Sequence, residues 1–141
     1  MSARLLRWAA AIMLVLGIGH LLVSTVVDGA RMSGWLRDGL WATVPLIPEH
    51  TVEEQSTVAA FWGGFASFAV PLVLLGCLVW HLAGRGMPVP AWVGWGLSAW
   101  CALGGIVLVP SPFFVGVIPG VLIVLAARRD RAHEPVAAEP R

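Results

Sequence analysis

The chain has 141 residues, 58% of them hydrophobic and only 12% charged, with a mean hydropathy of +0.83 and a formal net charge of +1. Soluble domains average about 25% charged residues, so this composition excludes a disordered chain, a disulfide-stapled secreted scaffold and an ordinary soluble enzyme, and points to a membrane protein. The nine cations are all Arg and nearly balanced by eight acids, which leaves no basic stripe for a nucleic acid.

A bilayer's hydrocarbon is about 30 Å thick, so a crossing helix needs about 20 apolar residues. The first uncharged run, Trp8 to Val27, meets that length. It is longer than the roughly 7 to 15 residues of a signal-peptide core, and no A-x-A site follows it, so it reads as a retained helix. The segment after it carries Asp28, Asp38, Glu49, Glu53 and Glu54 against Arg31 and Arg37, with Trp35, Leu36, Leu40 and Trp41 as an apolar face. Gly34 and Gly39 weaken helix there, and the segment is expected to lie on the membrane as a short interfacial helix. Thr51-Val52-Glu53-Glu54 has capping-box spacing, so the second helix is expected to begin near Thr51.

The second uncharged run is Gln55 to Gly84 and the third Gly86 to Ala127, long enough for two passes. Within the third, Val109-Pro110-Ser111-Pro112-Phe113 removes backbone donors and turns the chain. The expectation is an all-α integral membrane protein, a four-transmembrane-helix bundle over 1–127 with spans near 8–27, 58–82, 91–109 and 113–127. The fourth span covers only about 22 Å, so the preceding turn dips below the headgroups and the helix runs on into Arg128 and Arg129, whose side chains snorkel. Pro71 and Pro119 fall inside spans and are expected to kink them, leaving the carbonyls of Ser67 and Val115 without partners. Residues 128–141 form a tail expected to be disordered.

With four passes, Arg4, Arg7, Arg85, Arg128, Arg129, Arg131 and Arg141 share one side, and Arg31 and Arg37 the other. Both termini are therefore expected in the cytoplasm and the protein in the plasma membrane. Trp8, Trp80, Trp92 and Trp95 then fall near the cytoplasmic interface, and Trp35, Trp41 and Trp62 near the outer one.

His20 leads the candidates for chemistry, because an ionisable group within a span is costly to place in lipid. Ser24 and Asp28 follow at spacings of four, on one stripe of the first helix. Spacing alone does not make this stripe a catalytic triad. His20 is a neutral ring hydrogen-bonded across the bundle, the wall of a ligand site, or a ring facing lipid. At the same depth the other spans carry Gly63 and Gly64, Gly104 and Gly105, and Pro119 with Gly120. These glycines read as close helix packing, as in Gly116-x-x-x-Gly120, or as a cavity lined by His20, Ser24, Gly63, Gly64, Gly104, Gly105 and Gly120.

His81 lies about 20 Å of depth from His20, too far for one haem iron. His50 with Glu49, Glu53 and Glu54 lacks metal-site spacing, so neither a metal nor another cofactor is expected. His133 reads as solvated in the tail. Cys77 and Cys101 sit at different depths and are expected as unbridged apolar fillers.

Gly17-Ile18-Gly19-His20-Leu21-Leu22, Phe61-Trp62-Gly63, Phe68-Ala69-Val70-Pro71-Leu72 and Pro90-Ala91-Trp92-Val93-Gly94-Trp95 together carry a resemblance. Over Trp8 to Ala127 the chain resembles small four-pass membrane proteins of high-GC actinobacteria, catalogued as domains of unknown function. That resemblance implies the four-pass shape and brings no activity or site residues. A looser similarity to sterol-isomerase-like and DoxX-like bundles bears on shape alone.

The function expected is a non-enzymatic accessory or small apolar ligand-binding bundle, its partners the bilayer, a small lipophilic ligand and copies of itself, with no nucleic acid. The alternative is an intramembrane acid/base enzyme of the isomerase or cyclase class acting on a lipophilic substrate, with His20 as base and Asp28 or Glu53 as its partner. A transporter would need a homo-oligomer to line a path.

Overall fold

The computed structural model describes residues 2–38, 52–64, 66–108 and 112–132, with side chains at all of these except 32–38, 53 and 54. Over the described residues the chain is all-helical, with no strand. Its α-helices are α1 (Ser2–Asp38), α2 (Val52–Gly63), α3 (Ala69–Gly84), α4 (Ala91–Val107) and α5 (Val117–Ala132), and a 3₁₀ turn (Pro112–Gly116) leads into α5. Two stretches, Ser2–Arg31 and Pro112–Ala132, are long and apolar enough to cross a membrane. Packing divides the chain into two compact units, one of Met1–Met13 with Leu75–Arg141 and one of Leu14–Leu74, so α1 and α3 each contribute to both.

α1 does not end with the first apolar run. It continues as one helix through Asp38, and the segment expected as a separate interfacial helix is, that far, its extension. The polar side chains at this point are satisfied without leaving the helix: Thr25 Oγ1 donates to the Leu21 carbonyl at 2.7 Å, and Arg31 pairs with Asp28 at 2.8 Å. A glycine costs about 1 kcal/mol in a helix but does not by itself end one. Leu6, Ala9, Ala10 and Met13 are buried on one face of α1, and Gly17 continues that stripe. Trp8, Val15, Ile18, Leu22 and Val26 on the other side are exposed, Val26 at 84%.

The span expected at 58–82 is two helices, not one. α2 is described from Val52; Thr51 and the Glu54 side chain, the two parts of the expected capping box, lie outside the described residues. It ends at Gly63, and the chain passes through turns before α3 begins at Ala69. Pro71 explains the break. A helix running through it would leave the Ser67 carbonyl unpaired, whereas a helix starting at Ala69 places Pro71 in the first turn, where amides lack helical partners anyway. Ser67 Oγ accepts from the Ala69 amide at 3.2 Å and helps to close that start.

Pro119 follows the same rule. The 3₁₀ turn gives way to α5 at Val117, so Pro119 is again the third residue of a helix rather than an interior kink. α5 then runs on into Arg128 and Arg129, as expected of a helix whose last side chains snorkel, and continues to Ala132, so Asp130, Arg131 and Ala132, expected in the tail, are helical too. The tail 133–141 and the turn residues 109–111 lie outside the described residues.

α3 ends in a Schellman motif. Met87 N–H donates to Leu82 O at 2.9 Å and Gly86 N–H to Ala83 O at 3.3 Å, while Gly86 takes φ 67°. α4 starts behind Pro90, within a residue of the expected position, and ends at Val107.

α4 and α5 pack antiparallel through a seam of small residues in the first unit. Gly94, Ser98, Cys101 and Gly105 are buried along α4 at spacings of four, three and four. A methyl group on Gly120 would sit 2.6 Å from the Gly94 carbonyl oxygen and 2.9 Å from the Ser98 amide, and one on Gly116 would sit 2.5 Å from Cys101 Sγ. The rings of Phe113 and Phe114 close the far end over Gly104 and Gly105, with carbons 2.9 and 2.8 Å from where a Cβ would stand.

Two outcomes follow for thermal unfolding in detergent. Gly120→Ala must displace backbone and is expected to cost about 1 to 3 kcal/mol, whereas Gly96→Ala, with nothing within 4 Å, should be neutral or slightly stabilising. Gly86→Ala also meets no atom, so its expected loss of about 1 kcal/mol comes from the positive φ alone.

Candidate functional site

The site is built where α1 meets the break between α2 and α3, all within the second unit. Gly17 and His20 are three residues apart and share a face of α1. A Cβ on Gly17 would lie 2.6 Å from Val73 Cγ2 and 3.0 Å from the Ala69 carbonyl oxygen, so the missing side chain lets the first turn of α3 come against α1. One turn further along α1, His20 then reaches the end of α2.

The hydrogen bonds of the break define what His20 meets. Gly64 N–H donates to Ala60 O at 2.9 Å, Ala66 N–H reaches back five residues to Phe61 O at 3.0 Å, and Ser67 N–H tightens to Gly64 O at 3.1 Å. In a continuous helix Ser67 N–H would serve Gly63 O. It has turned to Gly64 instead, and His20 Nε2 takes its place, 2.6 Å from Gly63 O. A carbonyl only accepts, so Nε2 carries the proton and donates, which in the neutral ring leaves Nδ1 as the basic nitrogen. His20 therefore closes the C-terminus of α2, where the unpaired carbonyls and the negative end of the helix dipole favour a donor.

The structure thus joins His20 to Gly63, and Gly64 is buried beside them. Ser24 is half-buried on the same stripe. Asp28, the expected partner of His20, lies eight residues along α1, about 12 Å by rise, and its carboxylate is engaged by Arg31 at 2.8 Å. Glu53 is in the first turn of α2, and its side chain is outside the described set, as are those of Glu49, His50 and Glu54. Gly104, Gly105 and Gly120 belong to the other unit, where phenylalanine rings and α4 backbone occupy the space above them. Among the described residues no three of His, Cys, Asp and Glu gather as metal ligands. Both cysteines are free; Cys101 fills the seam against Gly116, while Cys77 is exposed rather than a filler.

Three packing and capping roles were not assigned from the sequence. Gly17 had a signal in its place on the His20 stripe, Ser67 in standing four residues before a proline, and the Gly94-x-x-x-Ser98 pair in matching Gly116-x-x-x-Gly120. The acceptor on Gly63 had none, because a carbonyl is common to every residue.

Removing the ring should uncover the Gly63 carbonyl. His20→Ala is expected to lower stability by about 1 to 2 kcal/mol, and His20→Gln, which keeps an N–H donor, to recover part of the loss in the same unfolding assay. Equal stability of all three proteins would remove the cap from the account. In comparisons with known proteins, no curated protein and no solved structure matches the chain. A family model does match, described as a family of unknown function (DUF6463), over residues 4–131. The chain therefore belongs to the DUF6463 family.

Proposed function

We propose that this protein is a four-pass plasma-membrane bundle with both termini in the cytoplasm, acting as a non-enzymatic accessory or small apolar ligand-binding protein. The observation that carries the non-enzymatic part is the bond from His20 Nε2 to Gly63 O, through which an exposed histidine of α1 holds a broken helix together. Acid/base catalysis would need His20 oriented by a carboxylate, and Asp28, one of the two expected partners, is held by Arg31 instead, while the Glu53 side chain lies outside the described residues.

Several features support the membrane reading. Only 17% of the most apolar window of α1 is buried, the reverse of what a soluble protein does with its most apolar helix. Trp8, Trp62, Trp80, Trp92, Trp95 and Trp100 are all exposed, as suits amphipathic rings against lipid and headgroups. α3 and α4, with 16 and 17 residues, are apolar helices somewhat short of a full crossing.

Topology is tested with single cysteines in a Cys77→Ser, Cys101→Ala background and a membrane-impermeant maleimide. His50→Cys is expected to label in intact cells, and Met87→Cys and Ala132→Cys only after lysis. Labelling of Met87→Cys and Ala132→Cys from opposite sides would overturn the four-pass arrangement. Native mass spectrometry of wild type beside His20→Ala tests the activity class: an apolar adduct held by wild type supports the ligand-binding form, and its absence supports the accessory form. A reaction abolished by His20→Ala in a protein that still folds would replace both with the enzyme.

A further inference from the structure

The charges of the chain are divided between its two units. Among the described residues the unit of Met1–Met13 and Leu75–Arg141 holds six arginines, Arg4, Arg7, Arg85, Arg128, Arg129 and Arg131, against one acid, Asp130. The other unit holds Asp28, Asp38, Glu53 and Glu54 against Arg31 and Arg37.

The six arginines are exposed, and the helix directions bring them to one end. α4 and α5 run antiparallel, with Gly105 beside Phe114 and Gly94 beside Gly120 and Val124. Carried onward at equal rise, this register sets Arg128, Arg129 and Arg131 level with the turn that holds Arg85 and precedes α4. α1 opposes α3, with His20 at Gly63 and Gly17 at Ala69 and Val73. The same count along these two continuous helices brings Arg7 to about the level of His81 and Arg4 to that of Gly84, within about a turn of Arg85. Trp8, Trp80, Trp92 and Trp95 lie within about two turns of this rim, and all four are exposed.

We propose that this arginine rim, with its tryptophans, binds the phosphate groups of anionic phospholipids such as phosphatidylglycerol. The proposal rests on the membrane reading above and goes beyond it in naming the lipid class. Guanidinium groups grip phosphate oxygens through two parallel N–H bonds, and arginine keeps its charge at any physiological pH. Tryptophan at the headgroup level places the apolar part of its ring among acyl chains and its N–H among the esters. Among the described residues of this unit the six cations face one acid, Asp130, so the rim carries a net positive charge complementary to an anionic headgroup. The apolar walls directly beside the rim suit a partner that is both anionic and acylated.

Delipidated full-length protein in neutral detergent, titrated with phosphatidylglycerol or phosphatidylcholine of matched chains, provides the test by native mass spectrometry. Wild type is expected to retain phosphatidylglycerol at least tenfold better, less so in high salt. Each arginine near an anionic surface contributes about fivefold, so Arg128→Gln/Arg129→Gln/Arg131→Gln should remove most of the preference. Arg4→Gln/Arg7→Gln should weaken it by a smaller factor, and Arg31→Gln/Arg37→Gln should leave it unchanged. Equal retention of the two lipids by folded wild type, or equal loss in the Arg31→Gln/Arg37→Gln control, would overturn the proposal. Carbonate extraction of cell membranes reads the underlying membrane assignment separately: protein released by carbonate sinks that assignment, while protein that stays and shows no lipid preference sinks the rim alone.

Discussion

A main-chain carbonyl set free inside an apolar segment has to find a donor, because leaving it bare in apolar surroundings costs about 1 to 3 kcal/mol. That constraint shapes the second unit. Pro71 forces the helix to restart, the restart turns the Ser67 amide toward Gly64, and the Gly63 carbonyl is left over. His20 answers it from another helix at 2.6 Å. The chain needs a glycine at position 17 so that α3 can approach, a histidine one turn away to reach across, and a serine at 67 to close the new start. Each residue is ordinary alone, and together they make a broken helix tolerable.

The first unit solves a different problem by different means. Where polar groups are few, helices gain from close approach, and close approach needs small side chains. Gly94 and Ser98 against Gly116 and Gly120 bring two backbones together, with the Cys101 side chain seated against Gly116. Phe113 and Phe114 then fill what the glycines at 104 and 105 leave. Binding a ligand at those glycines would mean moving the aromatic rings, whereas Gly19 and Gly63 of the second unit have open space around them.

Much of the helical layout was legible because it depends on local chemistry. The start of α4 follows from Pro90, and the chain's turn after α3 from Gly86. The break at 64–68 was not, because the apolar composition there runs on unchanged and a hydropathy count cannot distinguish one long helix from two. The proline signal was present and was read one step short: a proline in an apolar run can kink a helix or begin one, and both Pro71 and Pro119 begin one. At the site, His20 could be singled out from its cost in an apolar helix. Its partner could not, since donors and acceptors on the main chain leave no mark in the residue letters. The end of α1 was misread for a related reason: Asp28 looks like a boundary until Arg31, three residues on, neutralises it along the same helix.

That His20 binds main chain rather than side chain has a consequence for the history of the family. Any residue at position 63 presents the same carbonyl, so a substitution there exerts no compensating pressure on position 20. Contacts are ordinarily inferred from paired columns that change together. This one is invisible to such a method: drift at position 63 is silent with respect to the bond, and its only trace in related sequences would be a restriction on a single column, to residues able to reach across with an N–H.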